Sequence, residues 1–338
     1  MRDLKKSLRS QFLSIRDNLP PGLRALYGAR ILATLRSDPR YIASRLPAFT
    51  FSIGSEVDTR PLLRERWAKG LPVLVPRVHP DGMMEFHRLA VPPDALAVGD
   101  FGIPTPDPSR DQAVDPKEID LLVPPGVAFD PWGNRLGRGG GFFDSYLTRL
   151  PEATPRIGLA YECQMVESVP REDWDVPVRS VITERTVYEV QRLEWISHSP
   201  EETHALAASV ARRFDPPGMI RLSGELGAGK TEWVRGFLAA LGWEKRVRSP
   251  TFDLEHVYDL PGCRVYHLDG YRLVSPSLVD RERLGEILDD PGALTLIEWP
   301  ERFGPDIPPF ASEIRLARVG EMERVIWWTA FEKRRHLR

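Results

Sequence analysis

Gly224-Glu225-Leu226-Gly227-Ala228-Gly229-Lys230-Thr231 is the stretch that decides how this chain is read. It fits the pattern glycine, any four residues, then Gly-Lys-Ser/Thr. Its flanks are the ones that pattern needs. Met219-Ile220-Arg221-Leu222 before it reads as a short buried strand. After it, Trp233, Val234, Phe237, Leu238 and Leu241 recur at helical spacing until Gly242 supplies a stop. A loop between such a strand and helix aims several backbone N–H groups, and the positive end of the helix dipole, at one point that suits phosphate. The glycines let the backbone close in, Lys230 reaches the outer phosphates, and Thr231 offers a hydroxyl to Mg²⁺. A chance glycine-rich turn would need neither flank.

A chain of 338 residues is long for one domain, so two are expected. An apolar share of 42% is enough for one or two cores and argues against wholesale disorder. A net charge of −2 argues against broad nucleic-acid electrostatics. The basic run Lys333-Arg334-Arg335-His336-Leu337-Arg338 reads as a solvated end. Cys163 and Cys263 make neither a disulfide framework nor a metal knuckle, and read as buried or inert thiols in a reducing compartment. MRDLKKSLRS carries charge and no apolar signal core, and no long apolar run follows. A cytoplasmic protein with no membrane partner is expected.

In the first half, Leu4, Leu8, Phe12, Ile15 and Leu19 mark an amphipathic helix ending at Pro20-Pro21, and a second helix runs from about Leu23 to Leu35. Apolar strands follow at Ala48–Ile53, Leu71–Val75, Met84–Leu89, Leu121–Val123, Arg156–Ala160 and Ser180–Thr183, with a helix around Thr59–Lys69. That alternation predicts an α/β domain with a largely parallel sheet. The unusual stretch is Phe129-Asp130-Pro131-Trp132-Gly133-Asn134-Arg135-Leu136-Gly137-Arg138-Gly139-Gly140-Gly141-Phe142-Phe143-Asp144. Three consecutive glycines cost backbone entropy and call for a reason. Close approach of a ligand to the backbone is one, with Arg135 and Arg138 making that ligand anionic and Asp144 able to help hold a metal. A flexible turn is the other.

FDPWGNRLGRGGGFFDSYL resembles the signature of the 5-formyltetrahydrofolate cyclo-ligases (methenyltetrahydrofolate synthetases). Lys5-Lys6-Ser7-Leu8-Arg9 is similar to that family's N-terminal Lys-x-x-Leu-Arg, and Ser55-Glu56-Val57-Asp58-Thr59 to its folate-binding segment. Val75-Pro76-Arg77, Gly102-Ile103-Pro104 and Asp120–Phe129 follow in order, so the likeness covers about residues 1–190. It implies ATP-driven closure of 5-formyltetrahydrofolate to 5,10-methenyltetrahydrofolate. The formyl oxygen is a poor leaving group, so ATP phosphorylates it; the neighbouring amine then attacks and phosphate departs. By this resemblance Arg135 and Arg138 are catalytic, and Glu56 binds the folate. ATP meets Lys5, Arg9, Arg135, Leu136, Gly137, Arg138, Gly139, Gly140, Gly141, Phe142 and Phe143, with Mg²⁺ near Asp144. Phe142 and Phe143 stand where two tyrosines are common, Trp174 precedes Asp175 where His-Asp is expected, and Arg179 replaces a frequent acid. Hydroxyls missing from a polar site cost binding or transition-state stabilisation. The alternative for this half is therefore a catalytically impaired folate- or nucleotide-binding module.

In the second half, Glu194-Trp195-Ile196-Ser197 reads as the strand that opens a new domain, with the boundary near residue 190. Ser199-Pro200-Glu201-Glu202 starts a helix, with serine as cap and acids in its first turn. Beyond the glycine loop, Arg264–Asp269 and Ala293–Trp299 are strands that each run into an acid, Asp269 and Glu298. With Ser249-Pro250-Thr251-Phe252, His267-Leu268-Asp269-Gly270-Tyr271-Arg272-Leu273 and Ile297-Glu298-Trp299-Pro300, the pattern resembles TsaE (YjeE), the ATPase of tRNA threonylcarbamoyladenosine biosynthesis, over about residues 194–320. Glu232 and Gly270 are mild departures. The resemblance implies ATP bound by Glu225, Leu226, Gly227, Ala228, Gly229, Lys230 and Thr231, with Thr203 approaching it and Trp299 flanking it. Lys230 and Asp269 support hydrolysis, and Thr231 and Glu298 hold Mg²⁺. It further implies TsaB and TsaD as partners, with tRNA met only indirectly through that assembly. A generic nucleotide kinase is the rival, against which no arginine-rich lid separates the loop from Glu298. The expectation is a fusion of two three-layer α/β domains, 1–190 and 191–338, the second a small P-loop NTPase fold.

Overall fold

The computed structural model describes residues 2–79, 81–99, 102–172, 174–307 and 312–335. Its first helices are α1 (Arg2–Asp17) and α2 (Pro21–Ser37), separated where the Pro20-Pro21 pair cannot continue α1. The inward face of α1 differs from the expected stripe. Leu4 and Ile15 are exposed, whereas Arg16 is 2% exposed and Lys5, Leu8, Arg9 and Phe12 are half-buried. Spacings of four, three and four bring Lys5, Arg9, Phe12 and Arg16 onto one side of a helix. That side carries cations into the protein because acids and backbone oxygens are there to receive them.

The chain forms two compact units, one up to Val190 with the chain's end from Phe331, the other Gln191–Ala330. In the first, α3 (Pro39–Ala43), β1 (Pro47–Ala48), α4 (Arg60–Ala68), β2 (Leu74–Val78), β3 (Met84–Arg88), β4 (Gln112–Val114) and β5 (Leu121–Leu122) follow α2. Their sheet has the order β4-β3-β2-β1-β5. Ala48 faces Leu74 and Leu122 in parallel register, while β3 lies antiparallel to β2 and β4. The expected largely parallel sheet is thus mixed. A tight turn, closed by His79 N–H to the Met83 carbonyl at 2.7 Å, returns the chain beside β2 without a crossover helix.

β6 (Ala128–Phe129) and β7 (Arg135–Leu136) make a two-stranded ribbon ahead of α5 (Phe142–Leu147). β8 (Ile157–Leu159) runs parallel to β9 (Ser180–Ile182), which turns back into β10 (Thr186–Ser197). Neighbouring strand residues point to opposite faces. Phe49, Val75 and Leu121 therefore enter one core with α2 and α4, and Ala48, Leu74 and Leu122 enter another with Tyr146 and Leu147 of α5. The result is three layers.

The second unit follows the same logic. α6 (Pro200–Ala211) starts at Ser199, whose side chain accepts the Glu202 N–H. Then come β11 (Gly218–Ser223), α7 (Lys230–Ala240), β12 (Glu255–Leu260), β13 (Cys263–Asp269), α8 (Leu278–Leu288), β14 (Ala293–Glu298), β15 (Ser312–Arg318) and β16 (Arg324–Arg335). The order is β12-β13-β14-β11-β15-β16. The four inner strands are parallel and the two outer ones antiparallel. Leu296 packs with Trp233, Val234 and Phe237 of α7, and Ile297 with Leu284 and Ile287 of α8, so one strand again serves two faces. No helix among the described residues is long and apolar enough to cross a membrane.

Candidate active sites

In the first unit Arg135 is the anchor. The ribbon places it opposite Phe129, and a single acid shapes the hairpin between them. Asp130, fully buried, accepts N–H groups of Trp132 at 3.0 Å, Asn134 at 2.9 Å and Val169 at 2.9 Å, and the Asn134 amide at 2.9 Å. Burial still pushes its pKa up against those donors. Arg135 is buried and donates to Asp144 Oδ1 at 2.5 Å, with its guanidinium 5.8 Å from the Phe143 ring centre. Its Nε–H has no partner among the described residues. Burial pulls its pKa below the ordinary value, with Asp144 and Asp175 opposing. A buried, unsatisfied cationic donor is costly, and an anion removes that cost.

The other predicted cations converge here, each already engaged. Arg9 donates to the Gly137 carbonyl at 2.7 Å across 128 residues of chain. Lys5 donates to Asp175 Oδ2 at 2.8 Å, and Arg138 to Glu56 Oε1 at 2.7 Å. Glu56 Oε2 accepts the Ile53 N–H at 2.9 Å. Leu136 is buried and packs with Ala128 and Val169. Gly137, Gly139 and Gly140 carry the chain to Gly141, whose φ of +73° caps α5 in a left-handed conformation. Phe142 and Phe143 are half-buried in the α5 core, Phe143 edge-on to Phe86 at 6.5 Å, so the rings pack without hydroxyls. Trp174 is exposed, while Asp175 beside it holds Lys5. Arg179 donates to the Glu152 carbonyl at 2.9 Å.

Sequence reasoning missed Arg16. It lies 2% exposed and donates through Nε to Ser55 Oγ at 2.8 Å, while its Nη1 stands 3.9 Å from Glu56 Oε1 with no hydrogen-bond partner among the described residues. Burial lowers its pKa; Glu56 raises it and Arg138 lowers it further. Its spacing from Arg9 on α1 was the available signal. Arg16, Thr50, Ser52, Glu56, Gly126 and Gln164 help line a pocket beyond the C-terminal ends of β1, β5 and β8. Ligands of open α/β sheets bind in that position.

In the second unit the loop after β11 turns on Gly224 (φ +143°), where a Cβ would lie 2.3 Å from the Leu316 carbonyl oxygen. Glu225, Leu226 and Gly227 are exposed, Ala228 is buried, and Gly229 caps α7. Lys230 is 5% exposed, donates to the carbonyls of Gly224 at 2.7 Å and Glu225 at 3.0 Å, and sits 4.2 Å over the Trp299 ring. Burial lowers its pKa, with Glu298, Asp269 and Glu301 opposing. Thr231 donates to Glu298 Oε1 at 3.0 Å, and buried His267 brings Nε2 to the same oxygen at 3.0 Å. A hydroxyl beside a carboxylate is a fitting oxygen pair for Mg²⁺.

Asp269 stands opposite Glu298 in the β13–β14 register. It accepts the hydroxyls of Ser249 at 2.5 Å and Thr251 at 2.7 Å, and the Tyr271 N–H at 2.9 Å. Trp299 adopts φ +56° and packs on Tyr271 at 5.2 Å. Thr203 is buried, its hydroxyl 2.7 Å from Ser197 Oγ. Two contributors escaped the sequence reading. His267 and Glu298 become neighbours only through strand register, and Arg324 of β16 donates to the Ala228 carbonyl at 3.1 Å.

A lysine-bearing glycine loop between strand and helix, facing two strand-end acids, defines a P-loop nucleotide-hydrolysing unit; the first unit is a second α/β body with a cation-lined glycine loop. A model of the 5-formyltetrahydrofolate cyclo-ligase family matches residues 2–184, and one of threonylcarbamoyl adenosine biosynthesis protein TsaE matches residues 197–326. The chain belongs to both families, one in each half, and both are ATP-using. It is 31% identical to the 5-formyltetrahydrofolate cyclo-ligase of Escherichia coli K12 over 180 residues, 52% of this chain and 97% of that protein. It is 35% identical to the tRNA threonylcarbamoyladenosine biosynthesis protein TsaE of Bacillus subtilis 168 over 147 residues, 43% of this chain and 90% of that protein. The NMR structure of Aquifex aeolicus 5,10-methenyltetrahydrofolate synthetase superposes with a TM-score of 0.50 at 35% identity, covering 55% of this chain and 92% of that one.

Proposed function

We propose that the protein is bifunctional. Its first half closes 5-formyltetrahydrofolate to 5,10-methenyltetrahydrofolate at the expense of ATP; its second half is the ATPase of tRNA threonylcarbamoyladenosine modification. The observation that carries the first role is the convergence of Lys5, Arg9, Arg135 and Arg138 around one glycine loop. The formyl oxygen bonds to the γ-phosphorus as the bond to ADP breaks. The neighbouring amine then attacks the formyl carbon, phosphate leaves with its electron pair, and the amine gives up its proton. Arg135 and Arg138 stabilise charge on the transferring group. A polyanion that takes Arg138 also frees Glu56 to accept N–H groups of the folate. Asp144 offers Mg²⁺ the oxygen that Arg135 does not hold.

In the second half, Lys230 and the loop amides hold the phosphates, and Thr231 and Glu298 are the candidate Mg²⁺ holders; the ion would add positive charge there. Asp269, oriented by Ser249 and Thr251, positions the attacking water. TsaB and TsaD homologues are the proposed partners, and tRNA is reached through them.

The test follows the methenyl chromophore when purified protein meets 5-formyltetrahydrofolate, ATP and Mg²⁺. Arg135→Ala should abolish it and Lys230→Ala should leave it intact. No product from folded, ATP-binding protein would leave the first half as a binding module. ATP turnover that ignores TsaB and TsaD, with the γ-phosphoryl group passing to a small metabolite instead of water, would make the second half a kinase.

A further inference from the structure

His79, Glu85 and His87 belong to neither nucleotide site, yet their side chains meet. Antiparallel register sets Arg77 opposite Glu85 and Val75 opposite His87. The two-residue period then puts Glu85 and His87 on one face of the β2–β3 hairpin, and His79, two residues beyond Arg77, joins them. His79 Nε2 lies 3.0 Å and His87 Nε2 3.9 Å from Glu85 Oε2, and all three ligand atoms lie within 4.8 Å of one another. Three ligands at tetrahedral Zn²⁺ distances would stand about 3.3 Å apart, so small rotations complete the site.

His87 makes this more than an ion pair between His79 and Glu85. It is 2% exposed, and its Nδ1 lies 3.0 Å from the Asp111 carbonyl oxygen. A carbonyl only accepts, so Nδ1 carries the proton and Nε2 presents a lone pair. That Nε2 is buried with no hydrogen-bond partner among the described residues. Asp111 is itself fixed, its carboxylate accepting the N–H groups of Ala90 at 2.8 Å and Asp107 at 2.7 Å. A ligating histidine is commonly held through its other nitrogen in this way. Arg77, the nearby cation on β2, is engaged with the Pro106 carbonyl at 2.5 Å.

We infer that His79, Glu85 and His87 form a site for one divalent transition-metal ion of the Zn²⁺ class, with a fourth position open to water or an outside ligand. Two imidazoles favour Zn²⁺, Cu²⁺ or Ni²⁺ over the Mg²⁺ of nucleotide sites. The test uses tag-free, chelator-stripped full-length protein, titrated calorimetrically with Zn²⁺ in the presence of excess Mg²⁺, and with Co²⁺ as a spectroscopic probe. One equivalent should bind at micromolar concentration or tighter, with visible Co²⁺ bands and a shift of the His87 Nε2 resonance. His79→Ala and Glu85→Gln alter half-exposed side chains, so they should keep the fold by circular dichroism while weakening binding by roughly a hundred-fold or more, beyond the usual cost of losing an outer partner. His198→Ala, at an exposed histidine elsewhere, should leave binding unchanged. No binding at micromolar Zn²⁺, or binding indifferent to His79→Ala and Glu85→Gln, would overturn the site.

Discussion

Lys230 and Arg135 are both buried cations beside a glycine loop, and they are held in place by different means. Lys230 donates to two carbonyls of its own loop, five and six residues away. Arg135 itself donates to Asp144, nine residues on, but the cations around it are held from far along the chain: Asp175 reaches Lys5 across 170 residues and Glu56 reaches Arg138 across 82. A phosphate arriving at Lys230 replaces neutral carbonyls. In the proposed reaction, one arriving at the first loop displaces the Glu56 carboxylate from Arg138 and meets the free Nε–H of Arg135. The second loop is a local device; the first is assembled by the whole unit and exchanges ion pairs when it binds.

The strongest test of that contrast is independence. Lys230→Ala should lower ATP hydrolysis by roughly 10²- to 10³-fold, as loss of a transition-state donor does, and spare the methenyl chromophore. Arg135→Ala should do the reverse. If either variant damages both activities, the two loops are not separate devices.

Next in size is a pair of glycine substitutions. Gly224→Ala would force a Cβ to 2.3 Å from the Leu316 backbone oxygen at φ +143°. Gly141→Ala, at φ +73°, meets nothing within 4 Å. The second should cost only the left-handed penalty of about 1–2 kcal/mol, and the first clearly more. Denaturant unfolding, followed by a probe in each unit, compares the two. Equal losses would mean that the second loop is not braced by β15.

Glu56→Gln probes the exchange of ion pairs. It removes the carboxylate that Arg138 releases on binding, so KM for ATP should hold or fall while KM for the folate rises about ten-fold, the scale of one charge-assisted hydrogen bond. A rise in both constants would make Glu56 a scaffold for Arg138 instead.

The same contrast explains what the sequence could disclose. The second loop was legible because strand, glycines, lysine and helix lie in one run of residues. Its acids were legible as strand ends, but the approach of His267 to Glu298 depends on β13–β14 register and left no local trace. β12 and β15 escaped because their apolar residues do not run together; in β15 the buried Ser312, Ile314 and Leu316 alternate with Glu313, Arg315 and Ala317. In the first unit the leucine pattern of α1 pointed the helix outward by one residue. Arg16 went unread because its partners Ser55 and Glu56 reach it only through the fold. β1 also ends at Ala48, short of the expected Ile53, because Thr59 Oγ1 holds the Thr50 carbonyl at 2.6 Å and turns that segment toward the pocket.

The smallest effect separates the loops by pH. Burial raises the Asp175 pKa, but the Lys5 and Glu172 hydrogen bonds and the charges of Lys5 and Arg135 outweigh it, leaving it below the ordinary 3.8. Its stabilisation is therefore complete above that value and is lost as pH falls through the lower folded one. The pair is only partly buried, so Asp175→Asn should cost at most about 1 kcal/mol near neutral pH, with the difference from wild type vanishing in acid. Lys230 is lowered from 10.5 by burial, so its protonated form costs the fold stability below the folded value, and that cost disappears as pH rises toward 10.5. Both groups make stability rise with pH, the first in the acid range and the second in the alkaline range. In Lys230→Met the alkaline rise should be absent while the acid one remains. A difference between wild type and Asp175→Asn that does not shrink as pH falls would remove Asp175 from the account of how α1 is held.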